Sequence, residues 1–104
     1  MVMPVANYVK LVADKPKRML FDRWWWEDRQ IADPKSKMLK HVKTMVFHVS
    51  QEDGEKVDKT FSALSFKLQE SLAPYVETSQ AFTRMIEITW YPRDYASEYA
   101  VRVL

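Results

Sequence analysis

Residues able to carry acid–base, metal or phosphate chemistry are few in this chain and are not grouped for a reaction. The two histidines, His41 and His48, are seven positions apart, so on one strand they would lie on opposite faces and could not share a metal ion. The acidic pairs Glu27–Asp28 and Glu52–Asp53 would point apart on a strand or lie solvated in a turn. Gly54 is the only glycine, which excludes the Gly-rich loops of nucleotide-binding enzymes. The sequence therefore predicts no enzyme, no catalytic residue, no metal site and no cofactor.

Aromatic and basic residues are the more informative set, and they are densest in Arg23–Arg29, which reads RWWWEDR. Adjacent side chains of a strand point to opposite faces, so three consecutive tryptophans cannot all enter one core. Neither alternate set of side chains is cleanly apolar. We expect Trp25 to face the core with Phe21, and Trp24 and Trp26 to face outward together. A β-bulge at the triplet would shift this assignment by one residue.

Two outward indoles beside Arg23 and Arg29 suit two kinds of partner. Aromatic faces stack on unpaired bases at about 1–3 kcal/mol per base, and arginine neutralises phosphate. Tryptophan and arginine are also enriched in protein interfaces, so the same cluster could join subunits. The basic segment that follows, residues 32–43, favours nucleic acid over protein as the partner, although it also has the composition of a solubilising hairpin tip. Its basic and imidazole residues are Lys35, Lys37, Lys40, His41 and Lys43, against the single acid Asp33.

The charge of the chain is distributed unevenly along its length. Residues 1–49 carry ten Lys and Arg against five Asp and Glu, whereas residues 50–104 carry six against nine. The net charge of +2 therefore combines a basic half with an acidic half. Such an asymmetry suggests a partner of one sign on one side of the molecule, although an unevenly charged solvated surface would give the same count.

Length and composition are those of one domain spanning residues 1–104. Hydrophobic residues make up 47% and charged residues 29% of the chain, and no apolar run approaches the roughly 18 residues of a membrane helix. The start, MVMPVANYVK, lacks the basic and apolar regions of a signal peptide. The absence of cysteine excludes disulfides and fits an intracellular setting, so we expect a cytoplasmic protein without a membrane partner.

Turn residues and alternating apolar residues predict a meander of three strands over residues 18–64. The first strand, roughly 18–31, carries the tryptophans and ends at the turn signal Asp33–Pro34. The second strand begins near residue 39. Asp53–Gly54 lies between two strand-like segments, which is the strongest short signal for a hairpin turn into the third strand.

The period of the apolar residues changes to that of a helix after the meander. Leu68 and Leu72 are four residues apart, and Ser65 before them is suited to cap the helix N-terminus. Pro74 disfavours helical backbone at the residue before it, so the helix should end or kink there.

A strand pattern returns in the last quarter of the chain. It runs from Phe82 to Trp90, turns at Tyr91–Asp94 and continues over residues 95–104. At the other end, Tyr8–Val12 is a further candidate, either as an extra strand or as the first half of a long, bent first strand.

Three antiparallel strands, one short helix and a final hairpin thus follow one another. In this order the chain resembles OB-fold single-stranded nucleic-acid-binding proteins over nearly its whole length, without a diagnostic motif. The resemblance implies a mainly β fold, an OB-like five- to six-stranded antiparallel barrel with one short helix between strands three and four. The near absence of glycine departs from the pattern, because barrels often use glycine or a bulge to bend tightly. An open sheet with one packed helix is the alternative.

The resemblance also implies a function and a binding surface. OB folds hold oligonucleotides on the outer face of strands two and three and between two loops, which here are residues 32–43 and Trp90–Tyr95. We therefore expect binding of single-stranded DNA, or less favourably RNA, with little sequence preference, through aromatic stacking and Lys/Arg–phosphate contacts. The residues expected at this interface are Arg23, Trp24, Trp26, Arg29, Lys37, Lys40, Lys43, His48, Tyr91 and Arg93.

A hypothesis of a different class uses the same tryptophans. The protein would be an interaction or assembly module, in which the Trp cluster forms a subunit interface and exposed edge strands pair with another chain. Such a module could be a homo-oligomer.

Overall fold

The computed structural model describes residues 7–32, 35–93 and 97–104. Within these ranges one antiparallel sheet of order β3-β2-β1-β4-β5 is accompanied by an α-helix and a short 3-10 turn. The elements are β1 Lys17–Ala32, β2 Leu39–Glu52, β3 Glu55–Ala63, α1 Phe66–Glu77, the 3-10 turn Gln80–Phe82, β4 Ile86–Tyr91 and β5 Glu98–Val103. Neither helical element in these ranges has the length and apolar character needed to cross a membrane.

The predicted meander is confirmed as β1, β2 and β3. The β2–β3 hairpin turns at Asp53–Gly54, whose φ angles of 51° and 89° are both positive, as a type I′ turn requires. The predicted turn at Asp33–Pro34 lies outside the described residues. β1 and β2 remain paired beyond the end of β3, whose last residue lies opposite Met45. Residues 27–32 and 39–44 therefore form a two-stranded extension of the sheet, called the ribbon below.

The core lies between one face of the sheet and α1. Its largest fully buried side chains come from β1, β2, β4 and α1, and β3 adds Phe61 and Ala63. These large buried side chains include Phe21, Phe47, Met19, Leu72, Ile86 and Ile88. Phe21 and Phe47 stack with ring centroids 4.4 Å apart, which joins β1 to β2 at the centre of the core.

The prediction that Trp25 faces the core was wrong, and a bulge in β1 is the reason. Phe21 lies opposite Val49 but Arg23 lies opposite His48, so Asp22 is an extra residue without a counterpart on β2. One extra residue reverses the side-chain alternation that follows it. Trp24 and Trp26 therefore lie on the same face as Phe21, and Trp25 lies on the opposite face.

The helix begins after Ser65 as predicted, with Leu68 and Leu72 buried. Ser65 has extended backbone at the N-cap position, but its side chain makes no capping hydrogen bond. Of the two outcomes expected at Pro74, an end or a kink, the end is excluded, because the helix continues for one turn to Glu77. The loss of one backbone hydrogen bond at the proline is offset by Tyr75 and Val76, which pack against the core.

The last two strands agree with the prediction except at the start of β4. Phe82 belongs to the 3-10 turn, and the strand begins four residues later at Ile86. In β5, Tyr99, Val101 and Val103 pack on the core from one face, as the alternation predicts. The predicted run begins at Tyr95, which lies outside the described residues.

The segment 7–14 does not form the predicted strand. It makes one isolated bridge to β3, where the Val9 N–H donates to the Thr60 carbonyl at 2.9 Å. It makes another to β4, where the Asp14 N–H donates to the Trp90 carbonyl at 2.9 Å. The sheet itself is open, with β3 and β5 at its edges among the described strands. The mainly β class and the helix between strands three and four are confirmed, whereas closure into a barrel is not.

Candidate nucleic-acid interface

The structure divides the predicted site residues between two faces of β1 and β2. Arg23, Trp25, Glu27 and Arg29 alternate along the face of β1 that points away from the core, together with His48 of β2. This surface is called the outer face. Trp24, Trp26 and Lys43 lie on the opposite face, beside α1. The tryptophans predicted to stack on bases are therefore not on the same surface as the arginines beside them.

A cleft of about 360 Å³ opens on the outer face at the β1 bulge. Its walls come from β1, β2, β3 and the segment before β1. The aromatic and titratable residues that line it are Tyr8, Arg23, Trp25, His48, Asp58 and Lys59. Tyr8 is 55% exposed, so an aromatic ring is accessible at this cleft.

His48 forms the floor of this outer cleft and links three elements. Its Nδ1 lies 2.7 Å from Asp22 Oδ1, and its Nε2 lies 2.6 Å from Asp58 Oδ1. Because carboxylate oxygens only accept hydrogen bonds, both contacts are satisfied when the ring carries two protons. The hydrogen bond to Asp58 raises the pKa of His48 most, the bond to Asp22 raises it further, and partial burial and the charge of Arg23 oppose these effects.

The contacts of His48 with Asp22 and Asp58, called the His48 clamp below, explain the position of the bulge residue Asp22. A bulge turns a side chain out of the regular alternation, and here it directs the Asp22 carboxylate to the imidazole of the neighbouring strand. Both ring nitrogens are occupied within the protein, and only 15% of the His48 side chain is exposed. His48 is on the outward face as predicted, and its polar edge holds the cleft together.

Trp25 is fixed on the outer face by its neighbours on the same strand. The Arg23 guanidinium carbon lies 5.9 Å from the centroid of the indole ring, a cation–π distance. The indole Nε1–H donates to Glu27 Oε2 at 2.7 Å, and this bond is the largest cause of the lowered pKa of Glu27. Arg29 donates to the other oxygen of Glu27 from Nε at 3.2 Å and from Nη2 at 3.1 Å. The four side chains thus form a continuous row of contacts along β1.

The predicted pair of outward tryptophans forms part of a groove between β1 and α1. Trp24 packs against the core and stacks on Phe47 with centroids 6.3 Å apart. Trp26 meets Trp24 edge-on, at 5.6 Å with an interplanar angle of 72°, so the two rings do not offer parallel faces for bases. Trp26 is 48% exposed, and the Lys43 ammonium lies 5.8 Å from its ring centroid. Phe66 on α1 borders the same groove.

The basic residues of the predicted first loop are exposed at the end of the ribbon. Lys37 precedes β2 and has a φ of 58°, and Lys40 and Lys43 follow on the strand. Lys40 lies opposite Ile31, which places it on the outer face with Arg29 and Trp25. The outer cleft therefore continues into a surface with further positive charge.

The predicted second loop, Trp90–Tyr95, does not contribute its described residues to the outer cleft. Tyr91 points away from the core, as expected, and the Arg93 guanidinium carbon lies 5.6 Å from its ring centroid. Arg93 is also 3.8 Å from a carboxylate oxygen of Glu98. The indole of Trp90 is half-buried and donates to Ser97 Oγ at 3.0 Å. Neither Tyr91 nor Arg93 lines the outer cleft, and Asp94 and Tyr95 lie outside the described residues.

The sequence interpretation missed Tyr8, Trp25 and Lys59 as cleft residues. A signal for Trp25 was present, because one inserted residue between Phe21 and Trp24 makes the inward set apolar as far as Trp26 and gives the outward set both arginines. Among the described residues, no three His, Asp or Glu side chains are arranged to hold a metal ion. A comparison of the chain with family models, with curated proteins and with solved structures returns no match.

Proposed function

We propose that this protein binds single-stranded nucleic acid, with DNA as the favoured form, along the outer face of β1 and β2. The observation that carries the proposal is the outer cleft, in which the rings of Tyr8 and Trp25 lie beside Arg23. Unpaired bases stack on aromatic rings, and the backbone that joins them needs cations beside those rings. The composition without cysteine favours the cytoplasm as the place of this binding.

The length of the positive surface supports a strand rather than a single nucleotide. Arg29 is four residues beyond Trp25 on the same face, about 13 Å along the strand, and Lys40 lies farther along on β2. A base held at Trp25 would direct the following phosphates towards these cations. The acidic residues Asp22 and Asp58 face His48, whose protonated ring donates to both and offsets one of their two negative charges below its raised pKa.

The arrangement of the elements supports an OB-like interpretation of the fold. The helix lies between β3 and β4, as in OB folds. The candidate surface is on β1 and β2, so it shares β2 with the face of strands two and three on which OB folds bind oligonucleotides. In this interpretation the segment 7–14, which bridges β3 and β4, completes the wall that a closed barrel would form from strands.

Titration with oligo-dT, followed by the intrinsic tryptophan fluorescence, tests the proposal. We expect quenching at low salt that weakens as salt is added, because released counterions contribute to the affinity. Trp25→Ala should weaken binding of a labelled oligo-dT by about 5- to 150-fold, the equivalent of one stacked base. The matched variant Trp26→Ala should leave the affinity within about twofold, because Trp26 lies on the other face.

Two results would contradict the proposal in different ways. Absence of quenching and of oligonucleotide binding at low salt would exclude single-stranded nucleic acid as the partner. A larger loss with Trp26→Ala than with Trp25→Ala would place the binding surface in the groove beside α1. Circular dichroism of both variants separates loss of binding from loss of folding.

A further inference from the structure

The strand β1 has an unpaired edge beside its tryptophans. On one side it pairs with β2 from Met19 to Ala32. On the other side β4 pairs only with Lys17–Met19. From Leu20 to Ala32, no described strand other than β2 pairs with β1. The N–H and C=O groups along such an edge are a template for another strand.

The central part of this edge carries few of the features that normally prevent pairing. Proteins protect edge strands with proline, bulges, lysine or very short length. The bulge at Asp22 ends the regular strand on one side of the triplet. Residues 23–27 are regular, contain no proline and no lysine, and have three consecutive aromatic side chains.

Residues 23–27 are complementary to themselves when two copies run antiparallel. In a two-fold pair centred on Trp25, Arg23 of each copy lies opposite Glu27 of the other, and Trp24 lies opposite Trp26. Residues directly opposite share a face and lie about 5 Å apart, so each position forms a contact. The pair thus contains two Arg–Glu contacts, two Trp–Trp contacts and a central Trp25–Trp25 contact.

The neighbouring registers lack this complementarity. A register centred on Trp26 would place Arg23 opposite Arg29 and Trp24 opposite Asp28. A register centred on Trp24 would place Arg23 opposite Trp25 and leave Glu27 opposite Phe21, which is buried. In the register centred on Trp25, Asp22 and Asp28 are formally opposite, but the bulge turns Asp22 towards His48.

We propose that a second copy of this chain pairs antiparallel with residues 23–27 of β1, with the two-fold axis through the pair at Trp25. An axis perpendicular to the sheet keeps the outer faces of both copies on the same side. The open edge would become the centre of a continuous sheet. Trp26, which is 48% exposed in one chain, would be covered by Trp24 of the second copy. This association needs no nucleic acid and stands independently of the proposed function.

Charge reversal at the two predicted partners tests the register. Sedimentation equilibrium without nucleic acid should show a wild-type dimer. Arg23→Glu places Glu opposite Glu27 twice, and Glu27→Arg places Arg opposite Arg23 twice, so each single variant should weaken the dimer about tenfold or more. The double variant R23E/E27R restores both opposite-charge pairs and should dimerise again. An equimolar mixture of the two single variants should form a heterodimer for the same reason.

These expectations separate pairing between chains from any role within one chain. Residues 23 and 27 are about 13 Å apart on one strand, and Glu27 contacts Trp25 and Arg29 within its own chain. Glu55→Arg, an equal charge change at the exposed start of β3, should leave the dimer unchanged. A wild-type protein that stays monomeric at millimolar concentration would overturn the proposal. A dimer that neither single variant weakens, or that the mixture fails to restore, would also overturn it.

Discussion

The two ends of β1 belong to one strand but are held in different ways. The first end pairs with β4 over Lys17–Met19 and with β2 from Met19 onward, and its side chains Met19 and Phe21 are fully buried. Its cations make ion pairs with distant parts of the chain, Lys17 with Glu52 at 2.8 Å and Arg18 with Glu87 at 3.1 Å. The second end, beyond the bulge, pairs with β2 alone among the strands that the structure describes.

On the outer face of the second end, the contacts along β1 are local instead. Arg23, Trp25, Glu27 and Arg29 contact one another along a single strand, and this leaves the rest of their surfaces open. Long-range contacts join elements and therefore stabilise the fold, whereas local contacts orient side chains without fixing the fold. One end of β1 therefore maintains the structure, and the other end carries the surfaces at which we propose binding. Substitutions at the two ends should then have separable effects.

The largest effect on the free energy of unfolding is expected at the first end of β1. Phe21→Ala removes a fully buried ring that stacks on Phe47 and should lower the free energy of unfolding by about 3–5 kcal/mol. Phe66→Ala is the matched control, because that ring is 71% exposed and its loss should change stability by no more than about 0.5 kcal/mol. Urea unfolding followed by circular dichroism measures both. Equal losses in the two variants would show that burial does not distinguish these positions.

The order of elements could be predicted because each depends on a local pattern. Asp53–Gly54 requires a turn with two positive φ angles, and Leu68 and Leu72 repeat at a helical spacing. The end of the helix could not be predicted from Pro74 alone, because packing of the residues after it on the core outweighs one lost hydrogen bond. Barrel closure depends on long-range pairing, which no local pattern encodes.

The candidate site was predicted less well than the fold, for one physical reason. Side chains alternate between the two faces of a strand, so a single inserted residue at Asp22 reverses the face assigned to every later residue. Trp25 therefore moved to the outer face and Trp24 to the core.

The next largest effect is expected at the His48 clamp, which lies at the junction of the two ends. Because the folded state raises the pKa of His48, the clamp stabilises the protein fully below the unfolded pKa of about 6.5. That stability is lost as the pH rises through the higher folded pKa. His48→Gln should therefore be less stable than wild type by about 1–2 kcal/mol at pH 5.5, and the difference should shrink at alkaline pH.

Urea unfolding of both proteins at several pH values measures this difference. His41→Gln is the control, because His41 is exposed on the ribbon and its replacement should change the free energy of unfolding by no more than about 0.5 kcal/mol. A difference between wild type and His48→Gln that grows with rising pH would contradict the protonated clamp.

A smaller effect on stability, with the opposite pH dependence, is expected at Glu52 of β2, which lies opposite Met19 at the first end of β1. Its carboxylate accepts from Lys17 at 2.8 Å and from Lys59 at 2.7 Å, and these bonds, the first above all, lower its pKa. A lowered folded pKa stabilises the protein above the unfolded value of about 4.5, and this stability is lost as the pH falls through the folded pKa. Glu52→Gln should lose about 1 kcal/mol at pH 7 and almost nothing relative to wild type in strong acid. The exposed Glu55→Gln serves as control in the same unfolding experiment, where an equal loss would contradict the ion-pair origin.

The smallest effect on stability is expected at Lys40, at the far end of the outer face. The side chain is exposed on the ribbon, so Lys40→Gln should change the free energy of unfolding by no more than about 0.5 kcal/mol. Binding of oligo-dT should nevertheless weaken, and the slope of log affinity against log salt should fall in magnitude by about 0.7 if one phosphate contact is lost. Lys67→Gln removes the same charge from α1, away from the outer face, and should leave the slope unchanged. An equal change of slope in both variants would indicate that net charge, rather than the outer face of β1 and β2, determines the affinity.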